Sequence, residues 1–119
     1  MIRIDLQEQS MSAGDELTGV VIYRTDKPTE IKEAEITLGW YTEGRGSTDR
    51  QTVQSHRLDT QQLLSGIPIP FRFRLPDDGP ITYNGALMRI IWELQAVVKK
   101  PGLLSQKEKA NRGFLVLPR

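Results

Sequence analysis

The chain has 119 residues, with 16 basic and 15 acidic side chains, one histidine and no cysteine. That length suits one domain, which buries roughly two-thirds of its unfolded surface without covalent staples. The missing cysteine excludes a thiol nucleophile, a cysteine zinc site and a disulfide framework. The net charge of +1 excludes the bulk pull that a basic domain exerts on nucleic acid or anionic lipid. No stretch has the length of a signal peptide or the ~18 apolar residues of a membrane span. The reading is of a soluble, cytoplasmic protein with a single domain over residues 1–119.

In chain order, Ile2 to Leu6 is the first short strand candidate. In "DELTGVVIYRT", Leu17, Gly19, Val21 and Tyr23 alternate with Thr18, Val20, Ile22 and Arg24. Both faces are partly apolar, so alternation alone does not choose the inward one. In "IKEAEITLGWYT", Ala34, Ile36, Leu38 and Trp40 share one side and Glu33, Glu35 and Thr37 the other, a strand with one buried face. Gln51 to Leu58 is a polar strand suited to a sheet edge, and one helical turn is possible at Gln61 to Leu64.

In "IPIPFRFRL" the period of two sends Ile67, Ile69, Phe71, Phe73 and Leu75 inward and Arg72 and Arg74 outward. Pro68 and Pro70 lack backbone donors, which places this end of the strand at an edge or before regular pairing begins. The run Ala86 to Val98 fits two periods: a helical stripe with Arg89 and Glu93 spaced for a pair, or a strand with Met88, Ile90, Trp92, Leu94, Ala96 and Val98 on one face. Its β-branched and aromatic content favours strand. Arg112 to Leu117 closes the set. Seven strands, joined by segments rich in turn-forming residues, predict an all-β, antiparallel β-sandwich of immunoglobulin-like size.

Four segments in order, "AGDELTGVV", "IKEAEITLGW", "IPIPFRFRLPDDGPITYNG" and "MRIIWELQAVV", carry a resemblance to the arrestin-type domain family. The matching positions are Gly14, Asp15 or Glu16, Leu17, Gly19 and Val21, then Phe71, Phe73, Leu75 and Pro76. Pro80, Tyr83 and Gly85 follow, then Ile90, Trp92, Leu94 and Ala96. The chain is similar also to the arrestin-like subunit of retromer and to bacterial sporulation-control proteins. The resemblance implies a seven-strand Greek-key sandwich and adaptor or scaffold proteins that act by binding other proteins, not by catalysis. Such proteins generally have two lobes, and this chain has length for one. Receptor-tail recognition, the switch between lobes and the buried charge cluster of some arrestins are therefore not carried over.

The residues themselves give little support to an enzyme. His56, the lone histidine, lies in the polar series "QTVQSHRLD" and reads as an exposed strand residue rather than a general base. Asp77 and Asp78 precede Gly79 and Pro80 as turn formers, without the acidic spacing of a calcium loop. "GRG" is too short for a phosphate cradle. No cofactor and no metal site is expected.

Binding candidates remain. Outward Arg72, Arg74 and Arg89 can form a shallow anion site, or pair with Glu33, Glu35 or Glu93 as ordinary cross-strand charges. Leu103 and Leu104 can anchor a partner or cover one end of the sandwich, and Arg45 sits at the tip of the hairpin "EGRGSTDR". The functional expectation is a protein partner or self-association through a sheet edge or end loops. The alternative is a sugar or anion bound through loops that carry Trp40, Tyr41 or Tyr83.

Overall fold

The computed structural model describes residues 1–25, 30–44, 47–85, 87–102 and 107–118. The strands are β1 (Ile2–Leu6), β2 (Ser10–Ser12), β3 (Glu16–Tyr23), β4 (Glu33–Gly44), β5 (Ser47–Arg57), β6 (Ile69–Arg74), β7 (Tyr83–Asn84), β8 (Met88–Lys99) and β9 (Lys107–Leu117). A short helix α1 (Thr60–Ser65) lies between β5 and β6. One sheet has the order β1-β3-β6, and the other β2-β9-β8-β4-β5, with β7 beside β8. The chain crosses between the sheets at β1 to β2, β2 to β3, β3 to β4, β5 to β6 through α1, and β6 to β7.

The sandwich and its seven principal strands agree with alternation, but the described residues hold nine strands. β2 and β7 are three and two residues long, too short to carry a period-two pattern. β2 also breaks the antiparallel rule, because it runs parallel to β9 with Met11 opposite Val116. The cause is a strand that changes sheets. Gln7 N still donates to Thr18 O at 3.2 Å, whereas Leu115 N donates to Gln9 O at 2.9 Å, so the chain leaves β3 and joins β9 within three residues.

Pairing settles the face that alternation left open. Leu17 stands opposite Phe73 and Val21 opposite Ile69, and all four are buried together with Tyr23. From the larger sheet Ile36, Leu38, Leu94, Ala96 and Val98 meet them, each fully enclosed. At Gly19 an added Cβ would lie 2.3 Å from Asp5 O and 2.8 Å from Phe71 Cζ, so the Phe71 ring occupies the space of the missing side chain. Asp59 caps α1 by accepting from Gln61 N and Gln62 N at 2.9 and 3.2 Å. Gly66, at φ 79°, ends the helix in the left-handed conformation.

Strand length then decides what stays uncovered. β4 and β8 have twelve residues each and β6 only six, so the larger sheet runs on past the smaller. Two residues expected inward are exposed for this kind of reason. Met88 is 45% exposed on the overrunning end of β8, and Ile67 is 60% exposed because β6 begins at Ile69, after the α1 cap. Trp40 is half-buried against the core.

Candidate functional site

Of the two arrangements open to the three arginines, a shared anion site and separate ion pairs, the structure has the second. Arg72 and Arg74 project from β6 on the outer face of the small sheet, while Arg89 projects from β8 in the other sheet. The period of two was right for each strand, but the anion site required β6 and β8 to be neighbours, and the connection 75–87 crosses between the sheets instead. Each guanidinium has its own carboxylate. Arg72 Nε lies 3.7 Å from Glu16, Arg74 Nη2 3.8 Å from Asp77, and Arg89 Nη1 3.1 Å from Glu43. These are not the partners named from sequence: Glu33 pairs with Lys99 and Glu93 with Arg50, both at 2.9 Å. Such exposed pairs contribute a few tenths of a kcal/mol at most. Arg45, Leu103 and Leu104 lie outside the described residues.

The remaining polar candidates are absorbed by packing. The His56 ring stacks on Phe73 with centroids 4.6 Å apart and planes 19° off parallel. Tyr41 lies on the outer face of the large sheet beneath Arg50, whose guanidinium carbon is 4.5 Å from the ring centroid. Burial, helped by the charges of Glu93 and Glu43, raises the Tyr41 phenol above its ordinary range. Among the described residues no three histidine, aspartate or glutamate side chains gather as a metal site, and no helix is long and apolar enough to cross a membrane.

A different surface emerges at the overrunning end. Among the described residues, eight large apolar side chains are exposed, and six of them lie at this end of the large sheet: Ile81, Tyr83, Leu87 and Met88, with Leu115 and Leu117 on the outer face, where they alternate with buried Phe114 and Val116. Hydrogen bonds hold their backbone together. Thr82 N donates to Val116 O and Val116 N to Thr82 Oγ1, both at 2.8 Å, which ties residues 81–83 to the end of β9. Tyr83 pairs with Ile90, Asn84 with Arg89, and Gly85 N donates to Met88 O at 2.9 Å.

The connection that leads there is clamped to the core. Trp92, 1% exposed, donates from Nε1 to Pro80 O at 2.8 Å. Gly79 sits so close above the indole that a Cβ would fall 3.2 Å from Trp92 Cζ2. At Gly85 a Cβ would lie 2.6 Å from the Tyr83 ring, so the ring is laid back across the turn and held half-exposed. The segment "PDDGPITYNG" therefore builds a fixed platform of exposed apolar groups. Of the six residues, sequence reasoning singled out only Tyr83, as a possible ligand contact. Met88 reads as core from the period of two, and the others carry no functional signal, because a lone leucine or isoleucine means little until the fold gathers several.

A second concavity, of about 660 Å³, opens on the outer face of the small sheet. Thr18, Gly19 and Val20 line it, together with Asp5, Gln7, Pro70 and Arg72. Its charges are already matched, Asp5 by Arg3 at 3.1 Å and Arg72 by Glu16. The large sheet ends at β5, which is paired on one side only. That edge is interrupted by a bulge, where the register with β4 shifts between Leu38 and Gly39, and it carries Arg50 and Arg57. Bulges and charges are the usual protection of an edge against pairing with another strand.

No protein-family model matches the chain, and no curated protein matches it by sequence. Among solved structures it is similar to Spo0M, a sporulation control protein from Bacillus subtilis, with a TM-score of 0.73 at 18% identity. The likeness covers 97% of this chain and 48% of that one, so the chain spans about half the length of its structural relative. At this identity the likeness is one of fold, and the chain has the arrestin-like β-sandwich fold of Spo0M.

Proposed function

We propose that residues 1–119 form a single arrestin-like lobe that works as a non-catalytic interaction module, of the adaptor or regulatory kind, in the cytoplasm. The observation that carries this reading is the fixed apolar platform at the end of the large sheet. Exposed apolar side chains around this sheet end, held on a hydrogen-bonded backbone, are a standing cost in water, and a protein partner that covers Tyr83, Leu87 and Met88 relieves part of it. Rigid presentation also lowers the ordering cost of binding, and a held, half-exposed tyrosine is the kind of residue that anchors interfaces. The regulatory name of Spo0M, a sporulation control protein, agrees with such a role. The bulged, charged β5 edge turns the reading away from strand pairing and toward the end surface.

Site-specific photocrosslinking tests it. A crosslinking amino acid placed at Leu87 should give a discrete protein adduct in cells that express the chain naturally. The same group at Arg72, on the other sheet, should give none. No adduct from Leu87, or equal adducts from both positions, counts against the reading. A second reading, a small ligand in the 660 Å³ concavity beside Arg72, predicts thermal stabilisation by a sugar or phosphate that Arg72→Ala removes.

A further inference from the structure

The large sheet has a second open margin, on β9. Unlike the bulged β5, β9 pairs with β8 from Lys107 opposite Lys99 to Phe114 opposite Trp92 without a shift. On its other side it meets β2 only at Leu115, Val116 and Leu117. Among the described residues no strand lies against that side of Lys107 to Gly113. A regular strand with one free side presents a row of backbone donors and acceptors that another strand can pair with.

The side chains of this stretch decide which strand fits. Lys107, Lys109, Asn111 and Gly113 are exposed on the outer face, while Glu108, Ala110 and Arg112 are half-buried opposite the core residues Val98, Ala96 and Leu94. Reversing this sequence about Ala110 and laying it beside itself sets Glu108 opposite Arg112 twice, Lys109 opposite Asn111 and Lys107 opposite Gly113. No like charges then face one another, and each glutamate meets a guanidinium. Centres at Glu108, Lys109 or Arg112 set a charge against its own copy. A centre at Asn111 carries Lys107 of the copy to Leu115, where β2 already pairs. The register about Ala110 avoids both conflicts.

Two further observations favour it. Arg112 belongs to none of the ion pairs among the described residues, and the cation nearest Glu108 is the exposed Met1 ammonium, 3.9 Å from Oε1. At Gly113 the φ is not positive, and an added Cβ would meet Trp92 O at an ordinary 3.8 Å, so nothing described within the chain calls for glycine. A glycine inside a strand commonly marks the close approach of another backbone.

We propose that the occupant of this margin is a second copy of the chain, with the two β9 strands antiparallel about Ala110 and the large sheets joined into one. The arrangement is two-fold and closed, so it stops at a dimer. A ladder of seven residues is smaller than a standard interface, so the dimer is weak, with a dissociation constant on the order of 10 to 500 μM. The antiparallel join points the Tyr83, Leu87 and Met88 ends of the two copies in opposite directions. The dimer does not depend on whether those ends bind a partner.

The chain has no cysteine, so single cysteines report the register without background. Ala110→Cys places two thiols directly opposite, with Cα atoms about 5 Å apart and within disulfide reach. Lys109→Cys places them two residues out of step, about 8 Å apart and beyond it, and Gln51→Cys lies on β5. At about 200 μM chain under mild oxidation, Ala110→Cys should form a covalent dimer at least about tenfold faster than either control, and urea should abolish the difference. Sedimentation of the unaltered chain should show its mass rising from one chain toward two between about 5 μM and about 1 mM. Glu108→Arg and Arg112→Glu should each stay monomeric, and their equimolar mixture should regain the dimer, because the mixed pair restores both ion pairs. If circular dichroism shows a charge variant unfolded, the cysteine comparison decides by itself. A mass fixed at one chain up to about 1 mM, crosslinking at Ala110→Cys no faster than at the controls, or a mixture of folded charge variants no heavier than its parts overturns the proposal.

Discussion

Replacing Trp92 by phenylalanine probes the link between core and platform. The indole is 1% exposed, and its Nε1 is 2.8 Å from Pro80 O. Phenylalanine keeps an aromatic ring near Phe114, whose centroid is now 6.1 Å away, but loses the donor and the distal, benzene half of the indole. The lost hydrogen bond costs about 1 kcal/mol, because Pro80 is only half-buried and its carbonyl can turn to water. The space vacated beneath Gly79 is that of roughly two methylene groups, worth about 1.5 to 2 kcal/mol in transfer and packing. The expected destabilisation is therefore about 3 kcal/mol, read from urea unfolding at 25 °C with an unchanged m-value. Trp40→Phe is the control: the ring is half-buried, and a loss below about 1 kcal/mol is expected. Amide exchange adds a local readout, since Thr82 and Gly85 N–H should lose protection along with the clamp. A loss under about 0.5 kcal/mol for Trp92→Phe, or unchanged protection at Thr82, would refute the idea that the indole holds the platform.

Gly19→Ala should destabilise by about 1 to 3 kcal/mol, because the new methyl meets a backbone oxygen at 2.3 Å; urea unfolding checks it, and a neutral result would mean that β1 shifts freely. Asp59→Ala should cost about 1 kcal/mol through two lost cap bonds, while Asp59→Asn should recover most of it. Burial and the hydrogen bond to Glu108 push the Tyr23 phenol up to about 12, and a raised folded-state value means the protonated form is favoured by folding. That stabilisation is complete below about pH 10 and is lost between about pH 10 and 12, by roughly 2 kcal/mol. Tyr23→Phe should flatten this alkaline limb, and an unchanged limb would assign it to other groups such as Tyr41.

Alternation alone determined the sandwich and most of the faces within it. Phe71, Phe73 and Leu75 point inward and Arg72 and Arg74 outward because a strand's period is two wherever the strand is placed. The choice of strand over helix for Met88 to Lys99 was likewise legible in its β-branched and aromatic residues. The hydrophobic pattern says which side of a strand is apolar, but not which strand lies beside it. Arg89 therefore looked like a neighbour of Arg72 and Arg74 until the crossing between sheets separated them.

The same limit hid the platform. Ile81, Tyr83, Leu87, Met88, Leu115 and Leu117 come from three stretches of chain, and in sequence each reads as an ordinary turn residue or the end of a buried ladder. They gather because β9 parts from β8 after Phe114 and β7 takes its place, and they stay exposed because twelve-residue strands outrun a six-residue one. Strand identity is a local property of side-chain period and propensity. Where a sheet ends, and what its far end leaves uncovered, depends on contacts between segments distant in sequence, and only the tertiary structure decides those.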